Sequence, residues 1–340
     1  MHTVTLGSTN ITVNKNAFGA LPIQRVSDSY AVHLLRRAFD GGIRFFDTAR
    51  MYSDSEHKVS LAFRHKREEV FISTKTAATN VEDFWKDLDK SLSYLGYIDI
   101  YQFHNPAFCP RPGDGTGLYE AMLQAKEEGK IRHIGITNHR LSVAKEAIES
   151  GLYETLQFPL CYLASDADLE LVRLCREKNM GFIAMKALSG GLITNSAAAY
   201  AYLAQFDNVL PIWGVQKESE LDEFLRYVNN PPAMDEELAA LIDRDRGQLL
   251  GEFCRGCGYC MPCPVGIEIN NCARMSLMLR RAVSADWLTE AWQEKMAKID
   301  DCLHCGQCAG RCPYGLDTPA LLAKNLADYR EVVSGRVSVG

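Results

Sequence analysis

The sequence predicts a parallel (β/α)8 barrel, or TIM barrel, followed by a second, smaller α-helical domain. Short β-rich runs alternate eight times with longer amphipathic runs, and this pattern changes after a proline pair at residues 231 and 232. Eight of the twelve cysteines lie in two short groups beyond that point. Strict alternation of strand and helix favours a closed parallel sheet, with an open doubly wound sheet as the lesser alternative. We expect the barrel to span residues 1–240 and the second domain residues 241–335.

Each predicted element carries a local signal. A hairpin is expected over residues 2–14, ahead of the barrel strands. Residues 28–42 space apolar side chains three and four positions apart and end at a glycine pair, as amphipathic helices do, and residues 166–181 repeat this design. Residues 285–300 predict an amphipathic helix in the second domain. The predicted barrel strands are 17–21, 43–47, 70–75, 98–104, 131–137, 154–158, 181–186 and 209–214.

Composition limits the classes of function. A chain of 340 residues that is 47% apolar can bury a full core, and its net charge of −6 without a basic tract argues against a nucleic-acid partner. No signal peptide and no apolar run of about 18 residues is present, so we expect a cytoplasmic protein without a membrane partner. In that reducing compartment, clustered cysteines indicate metal or redox ligands. The absence of G-x-G-x-x-G and G-x-x-x-x-G-K-[ST] motifs disfavours Rossmann and P-loop sites.

Four reactive side chains follow three neighbouring strands. Asp47 ends the second barrel strand, Tyr52 lies in the following loop, Lys75 ends the third strand and His104 ends the fourth. Each has a structural alternative, namely a helix cap, a loop aromatic or a core histidine. Because the chemistry of such barrels gathers at the C-terminal ends of the strands, the coincidence of all four positions predicts a shared pocket.

The four groups form a chemically coherent set. A tyrosine has a pKa of about 10, and a nearby Lys75 cation would favour the Tyr52 phenolate and lower that pKa. Asp47 would hold Lys75 through a charge-assisted hydrogen bond, and His104 would orient a substrate oxygen. This set of side chains suits proton transfer to a carbonyl oxygen while a hydride reaches the carbonyl carbon.

The segments FFDTARMY, FISTK, YQFH and GITN that carry these residues resemble the aldo-keto reductase family, and the resemblance covers nearly all of residues 3–230. It implies that Asp47, Tyr52, Lys75 and His104 form a catalytic tetrad. It also implies a small-molecule carbonyl or alcohol substrate, with NAD(P)H bound across the barrel mouth.

The resemblance further assigns residues to the cofactor. It makes Asn138 a ligand of the nicotinamide carboxamide, with Thr137 in place of the usual serine and Gln157 in a similar task. Asn138 also has an alternative as a helix N-cap. Met185 stands where many members stack a tyrosine on the nicotinamide, and a thioether is a softer substitute. The remaining expected contacts are Gly19, Lys186, Gly190, Gly191, Gly214, Lys217 and Glu220.

The last two of these residues bear on the choice between NADH and NADPH. The family usually supplies an arginine for the 2′-phosphate of NADP after the eighth strand. Here Glu220 lies near that place, and a carboxylate would repel the phosphate and accept a ribose hydroxyl. Lys217 is the opposing signal. We therefore expect a slight preference for NADH.

The two cysteine groups predict two [4Fe-4S] clusters. The second group follows the C-x2-C-x2-C-x3-C-P pattern of bacterial ferredoxins, in which three thiolates hold one cubane and the fourth reaches the other. The predicted sets are Cys254, Cys257, Cys260 with Cys312, and Cys302, Cys305, Cys308 with Cys263. The first group is one residue shorter before its Cys-Pro, which leaves Cys272 as an alternative to Cys263. Zinc is a minor alternative.

These patterns make the second domain resemble an α-helical ferredoxin domain, and they leave its role open. The clusters are structural, or they link the barrel to a redox partner such as a ferredoxin or flavoprotein. In a second hypothesis the chain is an electron-transfer protein whose barrel docks a flavoprotein. In a third the clusters deliver electrons to a substrate in the barrel. Hydride chemistry moves two electrons and a cluster moves one, so the two halves do not couple directly.

Overall fold

The computed structural model describes residues 3–249, 253–281 and 284–339, which divide into two compact units. The first takes in the chain up to Ala187 together with Ala197–Leu238. The second comprises Leu188–Ser196 and the chain from Ala239 onward. The segment Leu188–Ser196 therefore interrupts the range 1–240 that the sequence predicts for the barrel.

The first unit is a closed parallel barrel, as predicted. Within the described residues its eight strands pair in chain order, and the last strand pairs with the first to close the sheet. No predicted strand is wrong by more than two residues at either end. The strands are β3 (Ala17–Gly19), β4 (Phe45–Asp47), β5 (Phe71–Thr76), β6 (Ile98–His104), β7 (Ile131–Thr137), β8 (Thr155–Pro159), β9 (Gly181–Met185) and β10 (Val209–Gly214).

Helices connect the strands and present apolar faces to the barrel. The side chain of Ser27 caps the first helix by accepting from the Tyr30 backbone N–H, and Ser165 and Asp168 form a capping box before the sixth. The helices are α1 (Asp28–Asp40), α2 (Ser55–Phe63), α3 (Val81–Leu95), α4 (Leu118–Glu127), α5 (Leu141–Ser150), α6 (Asp166–Glu177), α7 (Ser196–Ala204) and α8 (Glu218–Asn229).

The N-terminal hairpin closes one end of the barrel. It pairs β1 (Thr3–Thr5) with β2 (Thr12–Asn14), and its apolar side chains share one buried cluster with residues from the barrel interior. Gly7 pairs with Met180 just before β9 and has a φ of 50°. A Cβ there would lie 2.4 Å from the Asn179 carbonyl oxygen, so this close approach requires glycine. The hairpin therefore covers the N-terminal ends of the strands and leaves the C-terminal ends for chemistry.

The second unit packs short helices around one long helix. The long helix, Thr318–Val333, contacts four shorter helices. Its buried Asn325 amide accepts from Ser276 N at 2.8 Å and donates to Ala273 O at 3.1 Å, which ties it to the segment between two of them. The helices of this part are α9 (Glu236–Leu249), α10 (Ile269–Cys272), α11 (Met275–Arg281), α12 (Glu290–Ala297), α13 (Gln307–Arg311) and α14 (Thr318–Val333). In the described residues no helix is long and apolar enough to span a membrane.

The continuous helix expected over residues 285–300 is wrong. A 3₁₀ turn at Ser284–Trp287 is followed by a break, and α12 begins after Thr289, whose extended backbone marks the helix start. The Trp287 carbonyl accepts a hydrogen bond from Tyr329 Oη at 2.7 Å. The break therefore has a tertiary cause, because a contact distant in sequence holds the chain out of the helix.

Candidate active site and iron-sulfur ligands

The C-terminal ends of the barrel strands carry most of the predicted site residues. Gly19 on β3 pairs in register with Gly214 on β10 and with Asp47 on β4. On the opposite side, Thr137 on β7 pairs with His104 on β6 and Gln157 on β8. Parallel pairing therefore places these side chains at the same end of one closed sheet.

A buried ion pair forms the base of the site. Asp47 lies opposite Ser73 in the sheet, and Lys75, two residues further along β5, points to the same face. The Lys75 ammonium donates to both carboxylate oxygens of Asp47 at 2.7 Å and to the Thr48 carbonyl oxygen at 2.6 Å. Both side chains are buried. The ammonium thus has three acceptors and a fixed position.

Burial and pairing act in opposite directions on these two groups. Burial lowers the pKa of Lys75, and the Asp47 carboxylate opposes that shift. Burial likewise raises the pKa of Asp47, and Lys75 with the Gln157 amide opposes it. A buried ion pair adds little net stability, whereas loss of one partner leaves an uncompensated buried charge. Such a pair at the end of a barrel is therefore a functional-site candidate.

Two aromatic rings lie beside the ion pair. Tyr52 is on the turn that follows β4, and its ring lies 5.8 Å from the His104 ring, centroid to centroid, in an edge-on arrangement. The Lys75 ammonium is 5.4 Å from the Tyr52 ring centroid. The turn is fixed by backbone hydrogen bonds from Tyr52 N to Ala49 O at 3.0 Å and from Ser55 N to Tyr52 O at 2.8 Å. The structure brings all four predicted catalytic groups together.

A second buried charge pair supports this turn, and sequence reasoning missed it. Arg50 donates from its guanidinium to Glu56 and from its backbone N–H to the Lys75 carbonyl at 3.0 Å. The buried Glu56 carboxylate also accepts from Thr74 Oγ1 at 2.6 Å and Ser91 Oγ at 2.8 Å. An arginine and a glutamate on either side of Tyr52 were the available sequence signal. Their pairing fixes the segment that carries the tyrosine.

The His104 imidazole is neutral over the physiological range. Burial, with a smaller contribution from the Lys75 charge, lowers the pKa of His104 to about 3. Its Nδ1 atom is buried and has no hydrogen-bonding partner in the part of the chain that the structure describes. An unpartnered buried polar atom costs about 1–3 kcal/mol, and such a cost is typical of a site arranged for a purpose other than stability.

A network of amide side chains extends from the ion pair across the barrel interior. Gln157 Nε2 lies 3.4 Å from Asp47 Oδ2, and Gln157 Oε1 accepts from Gln102 Nε2 at 2.9 Å. The Met185 sulfur is 3.9 Å from Gln157 Nε2 and 3.8 Å from Thr137 Oγ1. Thr137, Gln157 and Met185, three of the residues predicted to contact the cofactor, therefore lie together.

Asn138 has a different local role from the helix cap considered above. Its Oδ1 accepts from the backbone N–H groups of His139 at 2.9 Å and Arg140 at 2.8 Å, and its Nδ2 donates to Pro106 O at 2.9 Å. Helix α5 begins at Leu141 with Arg140 as the N-cap residue. The helix-cap alternative is therefore wrong, because the Asn138 oxygen stabilises the turn before the helix.

The remaining predicted cofactor contacts differ in their surroundings. Lys186 follows β9 with a φ of 59° and is partly buried. Gly190 and Gly191 lie in the segment that groups with the second unit, unlike the other members of the set. Lys217 is exposed at the N-terminus of α8, where Glu220 Oε2 accepts from the backbone N–H of Lys217 at 2.9 Å and of Gln216 at 2.8 Å.

The loops after β4 and β6 expose apolar side chains. Met51 is 64% exposed and Phe108 is 41% exposed, whereas Ile23, in the connection after β3, is fully buried. Two large exposed apolar groups on loops at the same end of the barrel as Tyr52 suit a substrate with an apolar portion.

Cysteines of both sequence groups lie near one another in the second unit. The predicted second set, Cys302, Cys305, Cys308 and Cys263, lines one cavity that is open to solvent. Cys260 also borders this cavity, but its electrostatic neighbours are Cys254, Cys257 and Cys312, the other members of the first set. This arrangement fits two clusters, each with three thiolates from one sequence group and one from the other.

Cys272, the alternative to Cys263, lies away from that cavity. Its thiol is fully buried 3.9 Å from the Lys295 carbonyl oxygen, and burial raises its pKa to about 12. Across the described chain, no three His, Cys, Asp or Glu side chains converge tightly enough to share a single ion. A cubane instead holds its thiolates apart around a cage, so a cavity with cysteines on its wall suits it better.

Comparison with known proteins identifies the family. The Aldo/keto reductase family matches residues 11–198, which is more than half of the chain. The chain belongs to the aldo/keto reductase family. A 4Fe-4S dicluster domain matches residues 253–317, a range that includes all eight predicted ligand cysteines. The chain therefore combines the family barrel with an iron-sulfur domain.

The barrel is similar to several known proteins. The chain is 29% identical to L-galactose dehydrogenase of Arabidopsis thaliana over 56% of its length and 66% of the relative's. It is 33% identical to methylglyoxal reductase of Salmonella typhi over 39% of its length and 51% of the relative's. The chain thus spans about half to two thirds of the length of such curated relatives.

Solved structures show the same fold at lower identity. An aldo-keto reductase from Bacillus halodurans superposes with a TM-score of 0.63 at 19% identity, covering 72% of this chain and 96% of that one. One from Klebsiella pneumoniae in complex with NADP and acetate gives a TM-score of 0.61 at 21% identity, covering 72% and 94%.

The cysteine geometry predicts different outcomes for two serine variants. Cys263→Ser should remove about four of about eight iron atoms, because it deletes a ligand of the second cluster. Cys272→Ser should keep its iron, since this thiol lies outside both sets. Iron and sulfide are counted after anaerobic purification. Full iron in the first variant with a loss in the second would transfer the ligand role to Cys272.

The surroundings of His104 predict that its ring does not titrate between pH 5 and 8. Burial and the Lys75 charge both disfavour the imidazolium, so protonation should begin only as the pH approaches about 3. Nuclear magnetic resonance of protein with isotope-labelled histidine checks this, and a His104→Gln variant identifies the resonance. A midpoint near 6.5, the ordinary histidine value, would contradict the prediction.

Proposed function

We propose that this chain is an NAD(P)H-dependent oxidoreductase that interconverts a carbonyl group, aldehyde or ketone, with an alcohol. The observation that carries the proposal is the buried Asp47–Lys75 pair beside the rings of Tyr52 and His104, at the open end of an aldo/keto reductase barrel. The names of the similar proteins, a dehydrogenase of L-galactose and a methylglyoxal reductase, support this reaction class.

In this proposal Tyr52 is the proton donor. Its phenol would protonate the carbonyl oxygen in reduction, and its phenolate would accept the alcohol proton in oxidation. The Lys75 cation 5.4 Å from the ring favours the phenolate and so lowers the cost of releasing the proton. Asp47 keeps Lys75 charged against the effect of burial. The neutral His104 ring would donate a hydrogen bond to the substrate oxygen and fix its angle.

The end of the barrel also suits a nicotinamide. NAD(P)H would supply the hydride that reaches the carbonyl carbon. Within the described residues, the amide nitrogen of Gln157 makes only the long contacts to Asp47 and Met185, so this donor remains available for the carboxamide oxygen. Both lone pairs of Asn138 Oδ1 are engaged in the turn and one N–H of its amide bonds to Pro106 O, so the second N–H would be the group presented to the cofactor. Met185, beside Thr137 and Gln157, would lie against the ring.

The first turn of α8 supports a preference for NADH. Glu218 and Glu220 both lie there, and Glu218 pairs with His33 at 3.0 Å and Arg37 at 3.2 Å. A 2′-phosphate near this turn would meet carboxylates, with the exposed Lys217 as the opposing cation. The structures from Klebsiella pneumoniae that hold NADP and NADPH are only 21% identical in sequence to this chain. Our inference about the coenzyme therefore rests on the charges of this chain.

The exposure of the second cysteine set favours an electron-transfer role for the clusters. Cys305 is exposed on the cavity wall, and the adjacent Leu303 is 66% exposed. An apolar side chain beside a solvent-accessible cluster suits transient contact with a soluble redox protein, a ferredoxin or a flavoprotein. Such a partner, like the free thiols and cluster ligands, fits the cytoplasm.

A Tyr52→Phe variant tests the proposed reaction. Because the phenol supplies the proton, the variant should lose about 10²–10⁴-fold in kcat while it still binds the nicotinamide. An anaerobic screen of aldehydes, ketones and alcohols with both coenzymes provides the assay. Tyr97→Phe is the matched control, since the Tyr97 hydroxyl contacts only the Arg67 carbonyl at 3.3 Å among the hydrogen bonds described. Full carbonyl reduction by Tyr52→Phe would overturn the proposal.

The same variant separates this function from an electron-transfer protein. If the barrel only docks a flavoprotein, Tyr52→Phe and the unmodified protein will reoxidise an added reduced flavoprotein at equal rates. Neither will then reduce any carbonyl in the screen. If the chain is the proposed enzyme, the unmodified protein will reduce a carbonyl in the screen.

The coenzyme preference is measured as a ratio of kcat/KM values. We expect NADH to exceed NADPH by about tenfold, corresponding to about 1.4 kcal/mol of repulsion between carboxylate and phosphate. Lys217→Gln should weaken the use of NADPH further and leave NADH nearly unchanged, because it removes the cation that opposes Glu220. Equal or better values with NADPH in the unmodified protein would refute the preference.

A further inference from the structure

Among the described residues, a buried arginine in the second unit has no acidic partner. Arg274 lies at the junction of α10 and α11, and the residue is only 8% exposed. Its Nη1 donates to the Gly190 carbonyl oxygen at 2.9 Å, within the same unit. Its Nε atom is buried and has no partner in residues 3–249, 253–281 and 284–339. A guanidinium has five donors, and one that points inward here is unused.

The guanidinium lies against the loop that carries the first two cysteines of the first set. Gly256 stands between Cys254 and Cys257, and a Cβ on it would lie 2.7 Å from Arg274 Cζ. The φ of Gly256 is 64°, which independently favours glycine. The electrostatic neighbours of Arg274 are the thiols of Cys254 and Cys257. The chain therefore brings the backbone of this loop as close to the arginine as packing allows.

The unpaired charge of Arg274 indicates that an anionic group binds beside it. Burying an unpaired cation is costly, and a buried arginine is ordinarily retained beside a carboxylate or another anion. Here the loop that carries Cys254 and Cys257 packs directly against the guanidinium. Bound to iron, those cysteines are thiolates of an anionic cluster. The first cluster would supply the negative charge that this pocket lacks.

We propose that Arg274 is the counter-charge of the first [4Fe-4S] cluster, that its Nε–H donates a hydrogen bond to a sulfur of that cluster, and that it raises the cluster's reduction potential. The inference rests on the proposed ligand set Cys254, Cys257, Cys260 and Cys312, and it is independent of the carbonyl chemistry of the barrel. Reduction adds one electron to the cluster, so a fixed cation and a hydrogen bond stabilise the reduced form more than the oxidised form.

In the described residues, no buried arginine of this kind lines the cavity of the second cysteine set. Among the described residues that line its cavity, none is an arginine or a lysine. The two clusters therefore differ in their electrostatic surroundings, and a substitution at Arg274 should act on one of them alone.

Redox titration of the full chain, purified anaerobically and followed by electron paramagnetic resonance, tests this role. Arg274→Gln should lower the midpoint potential of one cluster by at least about 59 mV, equivalent to a tenfold loss in the reduced-to-oxidised ratio. The other midpoint should not move. Arg274→Lys keeps the charge but lacks the Nε–H, so it should give a smaller decrease. A Cys305→Ser variant identifies the signal of the second cluster.

Arg255→Gln is the matched control. Arg255 follows Cys254 directly in sequence, but its guanidinium packs over the rings of Phe253 and Tyr314, at 5.3 Å and 5.0 Å from their centroids. It carries the same charge next to the same ligand without the buried donor, so its removal should shift the midpoint by less than about a third as much.

Iron counts separate the possible failures. Unmodified protein with fewer than about four iron atoms would overturn the ligand assignment itself. Full iron with both midpoints unchanged in Arg274→Gln would overturn the role of Arg274 and leave that assignment intact. If Arg274→Gln cannot load the first cluster, Arg274→Lys decides the question. An unchanged midpoint in Arg274→Lys would then refute the hydrogen bond, and a lowered one supports it.

Discussion

The buried ion pair between Asp47 and Lys75 is the interaction on which the candidate active site depends. It forms because register places two charged side chains of adjacent strands on one face, in a region where water cannot screen them. In such surroundings each charge is tolerated only through the other. The pair therefore fixes the ammonium beside Tyr52 at a cost in desolvation that ordinary packing would avoid.

Around this pair, polar groups replace what would otherwise be an apolar barrel end. One arm passes through Gln157 to Gln102, and the other passes through the backbone of Lys75 to Arg50 and Glu56. The first arm joins β4, β8 and β6 across the barrel, and the second joins β5 to the turn and helix that follow β4. The barrel itself therefore sets the positions of the reactive groups. Sites built on strands are more precise than sites built on loops.

The sequence predicted the barrel strands to within two residues because alternating β-rich and amphipathic runs report local geometry directly. It also predicted which side chains end strands, since these positions follow from strand boundaries alone. It did not predict the Glu56 carboxylate, whose partners lie on three separate elements, nor the break after Trp287, which depends on Tyr329. Contacts between distant segments leave no periodic signal, so they became visible only with the fold.

The N-terminal hairpin has a consequence for how this barrel can change. The hairpin seals the far end of the barrel with apolar side chains, while the reactive groups and the long connection after β6 stand at the other end. Insertions or exchanges around Met51 and Phe108 can alter which molecule is accepted with little loss of cohesion. The substrate specificity can therefore change through these loops while the barrel and its N-terminal hairpin stay the same.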